Sequence, residues 1–340
     1  MKTFSVWAGI LLLFSCAGTK DWRDHDQRGD LVIAFGSCNK TDAKNALWDD
    51  ILATDPDMWI WGGDNIYADT DNMDDMAAMY AAQDRVPGYA RLRETVPVVG
   101  TWDDHDYGLN DGGEEFSKKV ESQINFLNFM QVPQDSPRRE REGVYASHLL
   151  GHPKGTVKIM VLDTRYFRTP LTPDRETRRR IKPNPYGEGS LLGEAQWQWL
   201  SEELERSTAQ FNVIVSSVQV LSNKHGFECW GNFPHEVDRL AQLIANSGAK
   251  GVMVLSGDRH ISEFSRADMQ DSRYPLVDFT SSGLTHAYRS FSGEPNPFRV
   301  GQVVAKESFG VVRFDFDAKK AIFEMRGNRG KTFAQLVQPY

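Results

Sequence analysis

A single alternation runs through most of this chain and restricts its possible folds. Short apolar runs of strand length occur at Leu31–Phe35, Met58–Trp61, Pro97–Thr101, Val157–Leu162, Phe211–Val215 and Gly251–Leu255. Most are apolar on both faces, as buried strands are. Between them lie segments of helical pattern: Ala46–Ala53, Asp74–Gln83, Glu114–Met130, Gly193–Ser207 and Pro234–Asn246. In the fourth of these, Leu200 and Leu204 lie one turn apart beside Trp197 and form an apolar stripe. Alternation of this kind predicts an α/β sandwich. The style then changes. Phe309–Phe316, Ala321–Arg326 and Thr332–Val337 read as strands joined by Asp-Ala-Lys-Lys and Gly-Asn-Arg-Gly turns, an antiparallel meander.

The chemistry sits in the residues just past each run. The first run leads into Gly36-Ser37-Cys38 and the second into Gly63-Asp64-Asn65-Ile66-Tyr67. The third leads into Trp102-Asp103-Asp104-His105-Asp106, then Asn110-Asp111, and the fourth ends in Asp163-Thr164-Arg165. The fifth ends in Ser216-Ser217-Val218-Gln219 and the sixth in Gly257-Asp258-Arg259-His260. Ligands of α/β sheets bind at the carboxyl ends of the strands. Each run places polar, mostly metal-competent groups there, so the series points to a multi-metal site. No phosphate-binding glycine loop, dinucleotide fingerprint or Gly-x-Ser-x-Gly elbow is present.

Charge poses a question. The 340 residues carry 39 Lys and Arg against 47 Asp and Glu, a net −8. That balance argues against a general nucleic-acid binder, which shows a basic footprint. A protein acting on anionic substrates must then bring its own positive charge. The loop Thr169–Ser190, with Arg175, Arg178, Arg179, Arg180 and Lys182, is either solvated surface or a cationic rim. Length and composition (40% hydrophobic, 25% charged) are those of a globular chain able to bury a core without disulfide staples.

The N-terminus reads as a targeting segment. Lys2 precedes an uncharged run, Phe4–Ser15, shorter than the roughly 20 residues a spanning helix needs. Leu13-Phe14-Ser15-Cys16 resembles the bacterial lipoprotein signal, with Cys16 as the lipid attachment site. The expected organisation is a signal peptide at 1–15, a lipidated tether at 16–29 and one catalytic domain at 30–340. The protein is then an exported cell-envelope lipoprotein, at the outer membrane or periplasmic face, in contact with membrane through its anchor. Ordinary secretion, with cleavage near Ala17, is the alternative.

Each candidate has a plain structural counterpart. Asp64 could cap the following helix or bridge two cations. Three acids within Asp103–Asp106 are costly for a turn alone, and bound cations would relieve their repulsion. His105 is a ligand or the group that protonates a leaving oxygen. Asp258 and His260, two apart, would point the same way on extended backbone. Cys38 is a ligand, a small buried residue or a disulfide partner of Cys229. Tyr67 either packs or, as a phenolate, selects ferric iron. Arg165 either pairs with Asp163 or meets a phosphoryl oxygen. His225, Glu228 and His235 are further ligands or substrate contacts, and Asn65 and Arg259 are additional substrate-binding candidates. His25, His148, His152 and His286 are assigned to structure or surface.

With Phe35-Gly36-Ser37-Cys38, Gly63-Asp64-x-x-Tyr67, Thr101-Trp102-Asp103-Asp104-His105-Asp106, Leu162-Asp163-Thr164-Arg165 and Asp258-Arg259-His260 in order, the chain resembles the PhoD-like alkaline phosphatases, a branch of the calcineurin-like metallophosphoesterases. The resemblance implies a four-layered α/β/β/α sandwich with metals at the strand ends. It implies hydrolysis of phosphate esters by a metal-activated water, with iron (Fe3+) and calcium (Ca2+), or zinc or manganese in their place. Carried over residue by residue, Cys38, Asp64, Tyr67 and His260 look like iron ligands, with Asp64 bridging. Asp258 and Asn110 look like calcium ligands, Asp104 a further ligand and His105 the acid. The stretch from Asp106 to Asn110 is one residue longer than the pattern, so Asn110 or Asp111 takes the ligand role. Where the wider superfamily has a histidine after the fifth strand, this chain has Ser217 or Gln219. The rival readings are a phosphodiesterase of the same fold, acting on nucleic acid or phospholipid head groups, and a non-catalytic lipoprotein that binds a ligand through calcium.

Overall fold

The computed structural model describes residues 28–177, 179–269 and 272–340. Cys16 and the proposed signal and anchor lie outside them. In chain order the strands are β1 (Leu31–Gly36), β2 (Met58–Gly62), β3 (Val98–Thr101), β4 (Ala146–His152), β5 (Gly155–Val161), β6 (Thr172–Pro173), β7 (Ile181–Lys182) and β8 (Phe211–Ser216). They continue with β9 (Val252–Ser256), β10 (Ser262–Ala267), β11 (Leu276–Ser281), β12 (Arg299–Val304), β13 (Phe309–Asp315), β14 (Lys320–Arg326) and β15 (Thr332–Pro339). One sheet has the order β15-β14-β13-β1-β2-β3 and the other β12-β10-β11-β9-β8-β5-β4. The six predicted runs therefore divide three and three between two sheets. In the first, β1, β2 and β3 are parallel. In the second, β5, β8, β9 and β11 are parallel.

Parallel neighbours require crossovers, and helices provide them. Trp48–Ala53 joins β1 to β2, and Met73–Asp84 with Pro87–Thr95 joins β2 to β3. Gly193–Glu205 lies between β5 and β8, and Pro234–Ser247 between β8 and β9. Side-chain alternation then assigns the layers. Leu31, Ile33 and Phe35 of β1 meet Val157, Ile159 and Val161 of β5 in the core between the sheets. Val32 and Ala34 point the other way, into a cluster with Trp48, Tyr89 and Phe126 of the helices. Met160, Ile214 and Val254 likewise turn outward onto Trp197, Leu200, Leu240 and Ile244. Three apolar layers separate four layers of structure, so the expected α/β/β/α sandwich is the fold.

Tertiary contacts account for the differences from expectation. The C-terminal meander does more than cap the chain: β13 pairs antiparallel with β1, Leu31 opposite Phe314 and Phe35 opposite Gly310, and extends the first sheet. The helix expected from Glu114 begins at Lys119, because the Glu114 N–H donates to the Arg168 carbonyl. Helix Pro87–Thr95 escapes the apolar pattern because it buries only Tyr89 and Leu92. β11 escapes it for the opposite reason. Asp278 and Thr280 interrupt its apolar run yet are fully buried and hydrogen-bonded.

Candidate metal centre

At the carboxyl ends of the parallel strands the backbone turns sharply. Cys38, Asp64, Asp258 and His260 all take left-handed φ, at 60°, 52°, 68° and 53°. Such φ is uncommon for non-glycine residues, although Asp and His adopt it more readily than most. This corrects the extended backbone expected for Asp258 and His260. Gly63, at φ 97°, is required here: a Cβ would come within 2.6 Å of Asp103 Cβ.

These turns gather two groups of donors that share one residue. Cys38, Asp64 and His260 bring one ligand atom each within 4.8 Å of one another, and so do Asp64, Asp104 and His105. Asp64 divides its oxygens between the groups. Its Oδ2 lies 3.4 Å from Cys38 Sγ and accepts the Tyr67 hydroxyl at 3.2 Å. Its Oδ1 accepts the His105 N–H at 3.3 Å. Tyr67 Oη is also 3.1 Å from His260 Nε2. Asp104 Oδ2 accepts Asn110 Nδ2 and the Asp111 N–H, both at 2.8 Å. Asn110 and Asp111 thus both reach Asp104, while the Asp111 carboxylate is engaged by Arg180. Asp104, His105, Asn110, Asp258, Arg259 and His260 face a common cavity of about 390 Å³.

Other acids of the motif hold the loops. Asp106 is fully buried and accepts the N–H groups of Asp103 at 2.6 Å and of Asp64 and Asn65 at 3.2 Å. Asn65 is buried too, its amide on Asp106 and on the Thr101 carbonyl, so it does not face substrate. Arg165 also departs from expectation. Its backbone N–H donates to Asp163 Oδ1 at 2.9 Å, but its guanidinium neither pairs with that carboxylate nor lines the cavity. It is fully buried, with Nε 2.7 Å from Asp103 Oδ1 and Nη1 2.6 Å from Glu228 Oε2. Arg168 pairs with the other Glu228 oxygen at 2.9 Å. A guanidinium between two buried carboxylates is an internal strut, so the phosphoryl clamp expected of Arg165 is corrected. His225 is buried and is not among the residues lining the cavity, its Nδ1 accepting the Phe227 N–H at 3.2 Å. Among the described residues Cys38 and Cys229 are both free, which removes the disulfide between them.

Electrostatics favours a cation. Burial, then Asp104, Asp103, Asp106 and Asp258, pushes the Asp64 carboxyl well above its ordinary range. Burial and Asp103 do the same to Asp258, against the pull of Arg259. Burial likewise raises the Cys38 thiol, with Asp64 adding to it. Burial lowers His260 to about 3, so its ring is neutral and able to donate a lone pair. Thiol, phenol, imidazole and a shared carboxylate form a donor set suited to metal, and a cation would reverse the mutual repulsion. His105 differs. Burial opposes its charge, but the Asp69 carboxylate at 2.8 Å from Nδ1 and the nearby Asp104 raise its pKa.

Four participants lay outside the sequence reading or were misassigned in it. His286, assigned to structure or surface, packs edge-on to His260 with ring centroids 4.4 Å apart and also meets Tyr67. Its buried Nε2 has no partner among the described residues. Ser282 Oγ lies 2.9 Å from Cys38 Sγ and accepts the His260 N–H at 2.8 Å. Asp69 orients His105, and Glu228 closes the Arg165 network. For Ser282 and His286 the positional signal was hidden: both come just after β11, the strand whose apolar run Asp278 and Thr280 interrupt.

Two stacked sheets with paired donor clusters at their strand ends, linked by one carboxylate, define a metallophosphoesterase sandwich. The PhoD-like phosphatase family aligns with residues 33–320, and the chain belongs to that family. Alkaline phosphatase D of Bacillus subtilis (strain 168) is 25% identical over 185 residues, 49% of this chain and 31% of that protein. The match thus spans about a third of that curated relative's length. A solved structure of PhoD superposes with a TM-score of 0.74 at 18% identity, covering 91% of this chain and 69% of the other. GAP50, described as the anchor in the inner membrane complex of Plasmodium, gives 0.59 at 12% identity, with coverage of 91% and 88%. A dimetal phosphatase from Danio rerio gives 0.55 at 14% identity, with coverage of 92% and 99%. These likenesses in structure support the fold.

Proposed function

We propose that the chain is a metal-dependent hydrolase of phosphate esters, acting as a phosphomonoesterase. The observation that carries this reading is Asp64, whose two oxygens face two separate donor clusters. Cys38, Asp64, Tyr67 and His260 would hold iron. Asp104, Asn110 and Asp258, with the shared Asp64, form an oxygen-rich side suited to calcium. Bound cations would supply water activation and neutralise phosphoryl oxygens. The remaining work falls to the protein. Asp69 holds a proton on His105 Nδ1 and, with Asp104, favours the imidazolium, whose Nε2–H proton would pass to the departing alkoxide and leave a neutral ring. Arg259, stacked on Phe227 and paired with Glu294, would present N–H donors at the cavity wall. No serine, threonine or cysteine nucleophile is invoked.

The test is metal-replete purification with elemental analysis and parallel assays on p-nitrophenyl and bis-p-nitrophenyl phosphate. Expected are two metal sites per chain and turnover of the monoester. Faster turnover of the diester would favour the phosphodiesterase, and no turnover of either would favour a calcium-dependent binding protein. Asp64→Asn is expected to lose metal and activity together, and retention of both would remove the site. The proposal includes export and anchoring through Cys16, which the sequence alone supports. Incorporation of labelled palmitate that survives Cys16→Ala would overturn the anchor.

A further inference from the structure

The reaction cavity has a neighbour. Tyr67, whose partners His105 and His260 line that cavity, itself lines a second cleft of about 780 Å³. The walls of this cleft combine two kinds of surface. Met79, Val86 and Pro87 are apolar, while Lys40 and Arg85 are exposed cations, and Asp42 is the one acid among the lining residues. Lys40 Nζ stands 5.0 Å from the Tyr67 ring centroid. Among the described residues neither cation has a carboxylate within 4.0 Å, and the nearby Asp84 is held by Arg93. The cleft is also braced against the metal centre. Buried Asn39, next to Cys38, donates to the Asn65 carbonyl at 3.1 Å and to Gln83 Oε1 at 2.8 Å. Gln83 lies in the last turn of helix Met73–Asp84, close before Arg85. The cationic wall therefore keeps a set position relative to the donor clusters.

We propose that this cleft is the leaving-group subsite, and that it selects phosphate esters whose alcohol has an apolar body ending in a second anionic group. The inference rests on the hydrolase reading above. An ester with its phosphorus at the donor clusters would run its alcohol past Tyr67, whose ring carries His105 and Lys40, and along Met79, Val86 and Pro87. A second anion on that alcohol would meet Lys40, beside Tyr67, or Arg85, next to Val86 and Pro87. This supplies part of the positive charge that an acidic chain needs for an anionic substrate.

The experiment compares 4-carboxyphenyl phosphate with 4-(hydroxymethyl)phenyl phosphate, two esters of similar shape that differ in one charge. The readout is the ratio of their kcat/KM values in the metal-replete full chain. Wild type is expected to favour the carboxylate by roughly two- to fivefold at low salt, the range of a partly exposed ion pair. The preference should shrink in about 0.5 M salt. Arg85→Gln and Lys40→Gln should each move the ratio toward one, with metal content as the folding control. A ratio near one in wild type, or a ratio unchanged in both variants, overturns the subsite. No turnover of either ester overturns the hydrolase reading, a result distinct from turnover without preference.

Discussion

At the scale of single residues, the acids of one short motif divide into different tasks. Asp104 faces the cavity, Asp106 binds backbone amides and Asp103 anchors Arg165. Sequence spacing alone could not separate them, because all three are carboxylates after the same strand. What separates them is which way a tight turn sends each side chain. Arg165 illustrates the energetics. Removing one partner of a buried ion pair leaves uncompensated charge and typically costs about 3–5 kcal/mol. Arg165→Met, which would strand Asp103 and part of Glu228, is therefore expected to lower stability by that order in urea denaturation. A variant of wild-type stability that has lost only activity would return Arg165 to a direct role on substrate.

Among the elements, those with clean periodicity were legible and those serving edges or polar cores were not. The six buried runs and their intervening helices were predicted within a few residues. β4 was missed because, as an edge strand, it exposes Leu149 and carries His148 and His152 among its apolar residues. That strand has a measurable consequence. Burial, with nearby Arg138, lowers His148 to about 4, below the ordinary histidine value of 6.5. Between those values the unfolded chain takes up a proton that the folded chain refuses. The His148 contribution to stability is thus fully present above pH 6.5 and is lost as pH falls toward about 4. The slope from one proton is of order 1 kcal/mol per pH unit. His148→Gln should flatten the fall in urea midpoint across that window, and an unchanged profile would place the titrating group elsewhere.

Across the whole molecule, the acidic balance and the site form one argument. The net −8 includes buried acids at the strand ends, and their repulsion is what a pair of cations would offset. Burial also raises Asp103 and Asp106 to about 7, with Arg165 opposing it at the first and backbone amides at the second. For the metal-free chain, groups raised in the folded state contribute stability that is lost as pH rises through their folded pKa. Protons also compete with metal for the ligands Asp64 and Asp258, whose carboxyls burial raises as well, so metal binding strengthens as pH rises. Both effects have one sign. The Tm difference between metal-replete and chelator-stripped protein should widen from about pH 5 to about pH 8. A difference that narrows would mean the acids are not the ligands.

The sequence by itself determined the α/β alternation, the set of strands that end in polar chemistry and the family motifs, because periodicity and residue type are local properties. It named Cys38, Asp64, Tyr67, Asp104, Asn110, Asp258 and His260, which the fold gathers at one edge of the sandwich. Tertiary structure alone decided that the strands split between two sheets and that Arg165 turns inward. It also brought His286 and Ser282, more than 200 residues along the chain from Cys38, against the same centre. Those outcomes depend on how two sheets stack and how strand-end turns are aimed, and no local pattern encodes the distance between residues on different sheets.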